Sequence, residues 1–148
     1  MKNFKIAVSS DHAGFEVKQK VIDFLLSENH YVKDFGCFSS ETVDYTDFAH
    51  PLGLSIENKE YDFGIAFCGS GNGINMTVNK YQSIRSALCW NVEVAKLARQ
   101  HNDANVCAIP ARFVTINEAI NIVFAFLHTN FDGGRHLRRI NKIPINHL

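Results

Sequence analysis

Residues 68–73 read CGSGNG, and a cysteine ahead of three alternating glycines is the stretch best suited to chemistry. Ordering glycine costs more conformational entropy than ordering any other residue. Three of them in six positions imply a backbone that other residues would resist. Consecutive N–H groups of such a loop, placed at a helix N-terminus, converge on one point and favour negative charge there. That charge can be a phosphate or a developing oxyanion. The same helix terminus favours thiolate over thiol in a neighbouring cysteine. Cys68 would then be a base beside a hole that stabilises the charge it generates. Proton abstraction next to a carbonyl needs both parts. A plain tight turn between strand and helix is the other reading of these residues. A dinucleotide fingerprint fits poorly: the spacing is G-x-G-x-G, the loop follows the third strand rather than the first, and Leu88, Cys89 and Trp90 stand where an acidic residue is needed. The Gly-Lys-Ser/Thr ending of a Walker loop is missing.

Other polar residues stand where a site would need them. Asp11-His12 follows the first apolar run, an unusual place for a core-facing polar pair. His101-Asn102-Asp103 closes a helical stretch just before the fifth strand, and from there His101 is read as facing the ligand edge of the sheet. The alternative for His101 is a cation favoured by a helix C-terminus. Arg135 and Arg139 are four apart and share a face if that segment is helical. Their alternative is a solvated basic surface. The seven histidines include no H-E-x-x-H and no Cys/His pair at ligand spacing, so the sequence gives no metal site.

Short apolar runs at 4–9, 31–35, 62–68, 84–90 and 105–109 read as strands. Helical periodicity fills the intervals, as in Val17, Val21, Ile22, Leu25 and Leu26, and in Ile116, Ala119, Ile120, Val123, Phe124 and Leu127. Strands lacking polar alternation are buried on both faces. Five strands alternating with helices imply a parallel sheet covered on both sides, with right-handed crossovers. Ligands of such folds sit beyond the carboxyl ends of the strands, which selects residues 10–14, 68–73 and 110–112.

The 148 residues suggest one domain, 1–148, with 132–148 as a C-terminal arm. The formal net charge is zero, with 15 basic and 15 acidic residues, which argues against nucleic acid or a membrane surface as partner. From Asp132 onward, however, Arg135, Arg138, Arg139 and Lys142 face a single acidic residue. A basic cluster on a neutral chain suits a small anionic ligand. Met1 is not followed by a leader-like segment, no apolar run approaches a membrane span, and four cysteines form no C-x-x-C pair. The expectation is a cytoplasmic protein with free thiols.

The stretches SSDHAGFEVK, CGSGNGI, Asn79-Lys80, RQHNDANV and GGRHLRRI lie in this order over nearly the whole chain. In these the sequence resembles the B-type ribose-5-phosphate isomerases, in the wider family that includes galactose-6-phosphate isomerase subunits. The resemblance implies a Rossmann-like three-layer α/β/α sandwich with a five-stranded parallel sheet. It implies a homodimer, with a tetramer as the alternative assembly, active sites built from both subunits, and an arm that contacts the partner. It implies ribose 5-phosphate and ribulose 5-phosphate as substrates, through ring opening and an enediolate. Hexose-phosphate isomerisation (galactose or allose 6-phosphate) and cofactor-free, non-catalytic sugar-phosphate binding are the competing functions. By this likeness Cys68 is the base, Gly69, Gly71, Asn72 and Gly73 belong to the oxyanion loop, and Ser70 assists. His101 opens the ring, with Asp11 near the ring oxygen and Asn102 on the sugar. His12, Arg112, Arg135 and Arg139 take the phosphate. Neither metal nor organic cofactor is implied. One branch of the family replaces the cysteine by glycine and uses a glutamate two residues past the loop; Asn75 stands there in this chain, which leaves Cys68 as the base. Thr46 and Pro110 depart from the family's usual proline and glycine.

Overall fold

The computed structural model describes residues 2–147. The strands are β1 (Lys5–Ser10), β2 (Tyr31–Asp34), β3 (Phe63–Cys68), β4 (Ser86–Leu88) and β5 (Val106–Pro110). The helices are α1 (Phe15–Ser27), α2 (Tyr45–Glu57), α3 (Asn72–Val78), α4 (Val92–Asn102), α5 (Ile116–Leu127) and α6 (Arg135–Ile140). All pairings are parallel, in the order β2-β1-β3-β5-β4.

The two faces of the sheet differ in side-chain size, and the difference sets the layers. Ile6, Val8, Ile65, Phe67, Cys107 and Ile109 point to one face and pack against α1, α4 and α5. Ala7, Ala66, Cys68, Val106 and Ala108 point to the other and meet α2 and α3. Alternation along each strand sends successive side chains to opposite faces, so the bulky set and the small set separate cleanly. Cys68, the last residue of β3, falls on the α2/α3 face.

Two boundaries differ from the sequence reading in instructive ways. The fourth strand spans three residues rather than 84–90. Asn105 Oδ1 accepts from the Arg85 N–H at 2.9 Å, and the Arg85 side chain turns to the end of α4, so the regular ladder starts only at Ser86. The segment after Asp132 is not a loose arm along the whole of its length. It folds into α6, whose His136 and Ile140 are buried. Residues 1 and 148, within the expected domain and arm, lie outside the described residues. No helix among the described residues is long and apolar enough to cross a membrane.

Candidate active site

The order of strands reverses between β1 and β3: the chain steps outward to β2 from one and toward β5 from the other. Ligand crevices open at such switch points, beyond the carboxyl ends of the strands. Asp11 and the glycine loop are there. The Asp11 N–H donates to the Phe67 carbonyl at 3.1 Å, and its Oδ1 accepts from the Gly14 N–H at 3.1 Å. The aspartate is thereby fixed with 7% of its surface exposed. His12 Nδ1 accepts from the Val43 N–H at 3.2 Å. An imidazole that accepts at Nδ1 carries its proton at Nε2, so His12 presents a donor to an anion.

The loop is tied to the neighbouring strand end. The Ala111 N–H donates to the Cys68 carbonyl at 2.9 Å and the Arg112 N–H to the Gly69 carbonyl at 3.0 Å. Gly71 has φ 74°, ψ −14°, and a Cβ there would lie 2.4 Å from Leu88 Cδ1 and 3.1 Å from the Pro110 nitrogen. Only glycine meets both the positive φ and the close approach. A Cβ on Gly69 would touch the Arg112 guanidinium at 3.1 Å, and one on Gly73 the Tyr45 ring at 2.5 Å. Arg112 therefore lies over the loop, and Tyr45 walls its far side. Ser70 is exposed, and its Oγ accepts from the Asn72 N–H at 3.3 Å. Cys68 itself is 4% exposed at the mouth of the loop. At the end of β2, the buried Lys18 ammonium donates to Asp34 at 2.7 Å and to the Cys37 carbonyl at 2.8 Å. The same segment meets β1, where the Ser10 N–H donates to the Gly36 carbonyl at 2.7 Å. Asp11 and His12 are the next two residues.

A second group of polar residues gathers at the end of α4. Asp103 adopts a left-handed conformation (φ 43°, ψ 45°) and is held by two arginines. Arg85 Nε donates to the Asn102 carbonyl at 2.8 Å, and its Nη2 to the Asp103 carbonyl at 2.9 Å. Arg99 Nη1 donates to Asp103 Oδ1 and to the Ala104 carbonyl, both at 2.7 Å. These bonds fix the turn that carries His101 and Asn102. The Asp132 N–H donates to the Gln100 carbonyl at 3.0 Å, which lays α6 beside α4. The rings of His101 and His136 stack with centroids 4.3 Å apart and planes 11° apart. Arg135 and Arg139 fall in one short helix and are exposed. Burial holds the His136 imidazole below its usual pKa, and the charges of His101, Arg135 and Arg139 push the same way, against Asp132.

Within one chain the two groups are not brought together. Asp11, His12, Cys68 to Gly73 and Arg112 sit at the carboxyl end of the sheet. His101, Asn102, Arg135 and Arg139 sit at the amino end, contrary to the sequence expectation that His101 faces the ligand edge. The register shows it: Cys68 pairs with Pro110, whereas Val106, four residues after Asn102, pairs with Gly64 and Ser86. Arg99 also stacks over Phe63, the first residue of β3, at 5.1 Å. Helices of a βαβ unit return antiparallel to the strands, so the residue that ends a helix lies at the amino edge of the sheet. The four intervals of β5 alone separate the groups by about 13 Å. Arg85, Asp132, His136, Tyr45 and Lys18 were missed in the sequence. Their partners are too distant in the chain for local spacing to show them.

An open parallel sheet with a glycine loop and thiol at its switch point defines a Rossmann-like α/β/α protein equipped to take a small anion. Residues 6–143 match the model of the Ribose/Galactose Isomerase family, and the chain belongs to that family. It is 40% identical to ribose-5-phosphate isomerase B of Escherichia coli, over 94% of this chain and 93% of that one. The crystal structure of a ribose 5-phosphate isomerase from Thermotoga maritima superposes with a TM-score of 0.94 at 48% identity, covering 97% of this chain and 99% of that one. The ribose-5-phosphate isomerase B of Mycoplasma genitalium, crystallised with bound ribulose-5-phosphate, gives a TM-score of 0.90 at 41% identity, covering 94% and 93%.

Proposed function

We propose that this protein interconverts D-ribose 5-phosphate and D-ribulose 5-phosphate, an aldose–ketose isomerisation of the pentose phosphate pathway, and that two copies of the chain build each site. The observation that carries the reading is the buried Cys68 thiol at the mouth of a loop locked by Gly71 at the switch point, in a chain of this family.

The closed sugar opens first. A neutral imidazole takes the anomeric hydroxyl proton as the bond between C1 and the ring oxygen breaks, and returns it to that oxygen; His101 of the partner subunit suits this exchange near neutral pH. The Cys68 thiolate then removes the proton from C2. Negative charge moves to the carbonyl oxygen at C1, where the N–H groups of Gly69 to Gly73 and the Ser70 hydroxyl receive it. Cys68 returns the same proton to C1, and the O2 proton passes to the anionic O1, which completes the ketose. His12 and Arg112, with the partner subunit's Arg135 and Arg139, hold the phosphate, since arginine forks match its oxygens. What supports pairing across subunits is that one chain leaves its two polar groups at opposite edges of the sheet. The family also handles hexoses, so five- and six-carbon sugar phosphates should be assayed side by side; ribose 5-phosphate is expected to give the higher kcat/KM. Cys68→Ala should lower kcat by at least about 10²–10⁴-fold with little change in substrate binding. Near wild-type turnover in that variant would sink the assignment of the base.

A further inference from the structure

His101, Asp132 and His136 form a cluster that the isomerisation does not use in full. One ligand atom from each lies within 4.8 Å of the other two. The cluster is assembled by the fold. His101 comes from the last turn of α4 and His136 from the first turn of α6. Asp132 is fixed between them by its N–H bond to the Gln100 carbonyl. The turn between Asp132 and His136 needs Gly133 and Gly134 at φ 67° and 55°. A Cβ on either would meet nothing within 4 Å. Those glycines are therefore there for backbone conformation, which returns Asp132 and His136 to one side. Among the described residues no hydrogen bond engages either imidazole or the Asp132 carboxylate, so all three keep their lone pairs available.

Two imidazoles and one carboxylate, with an open side, make a donor set for a borderline divalent cation such as Zn2+. Metal–ligand bonds of about 2 Å set tetrahedral ligand atoms about 3.4 Å apart. The three ligand atoms, within 4.8 Å of one another, close on the ion only if the stacked His101 and His136 rings, whose planes are 11° apart, swing out of their stack so that their in-plane lone pairs converge. We propose that His101, Asp132 and His136 bind a divalent transition-metal ion that inhibits the enzyme, because coordination takes the lone pair His101 needs for ring opening. The inhibitory part rests on the role given to His101 above; the binding part does not. Arg135 and Arg139 flank the site and oppose a cation, so the ion is reversible rather than structural.

The test uses chelator-treated, full-length protein and Zn2+, with Co2+ as the spectroscopic probe. Calorimetric titration should find one Zn2+ per chain, weakened about tenfold or more by Asp132→Asn and by His136→Gln. Arg135→Gln should tighten binding by removing a like charge. Cys68→Ser should leave binding intact, and Co2+ should show visible bands with no sulfur-to-metal charge-transfer band. In kinetics Zn2+ should lower kcat for ribose 5-phosphate in the wild type, and Asp132→Asn should keep turnover while losing most of that sensitivity. Binding lost in Cys68→Ser but kept in the Asp132 and His136 variants would place the ion on the thiol and overturn the proposal, as would no binding at all. Unchanged thermal melting shows that each variant is folded. An inactive protein that still binds Zn2+ through the three residues would instead overturn the catalytic reading alone.

Discussion

Gly71 shows how one residue sets the chemistry of the loop. Its positive φ and its approach to Leu88 and Pro110 let the backbone turn tightly against the end of β5. Alanine there faces about 1–2 kcal/mol for the left-handed conformation. Overlap with Leu88 adds about 1–3 kcal/mol. Gly71→Ala should therefore lower the urea midpoint and, by shifting the N–H groups, reduce kcat more than it raises KM. An unchanged kcat in a destabilised protein would show that the loop does not hold the oxyanion. This residue was legible in the sequence because turn chemistry is local: a glycine's permissiveness belongs to the residue itself. Cys68 was legible for the same reason, standing between an apolar strand and that loop.

The end of α4 is the element on which half of the proposed site depends. Its last turn is held by two arginines, with Arg85 on the Asn102 and Asp103 carbonyls and Arg99 on the Asp103 carboxylate. Asp103 sits in the left-handed region, where a non-glycine residue needs such support. Arg85→Gln removes a charged fork from carbonyls at the helix end, where cations are favoured. Each lost hydrogen bond to a charged group is worth about 1.5–3 kcal/mol. The expected result is a drop in kcat/KM for ribose 5-phosphate with Cys68 still reacting normally with a thiol reagent, since the glycine loop is at the other edge. Equal loss of thiol reactivity would indicate general unfolding instead. The sequence showed α4 by its periodicity, but not this grip. Arg85 lies in a strand-like run 17 residues from Asn102, and no local pattern couples the residue before a strand to a helix's end.

At the scale of the molecule, the separation of the two polar groups makes a specific prediction. Cys68→Ala and His101→Asn should each be nearly inactive. Mixed and allowed to exchange subunits, they should recover about a quarter of wild-type activity, because half of the dimers are mixed and one of their two sites is intact. No recovery, with subunit exchange verified, would mean that each site is built within one chain. Ile143 and Ile145, beyond the basic helix, are exposed apolar side chains in the single chain. The sequence alone determined the parallel sheet with helices on both sides and the place of the thiol-and-glycine loop at the end of the third strand, because these follow from periodicity and from residues adjacent in the chain. It did not determine which edge of the sheet each polar group occupies. His101 was read as facing the ligand edge, and the tertiary structure set it at the other. That placement follows from parallel pairing: each helix must run back against its strand, so residues near in sequence to a strand's start are a strand's length from the crevice. The meeting of His101 with Asp132 and His136 was equally beyond the sequence, because it depends on α6 docking against α4.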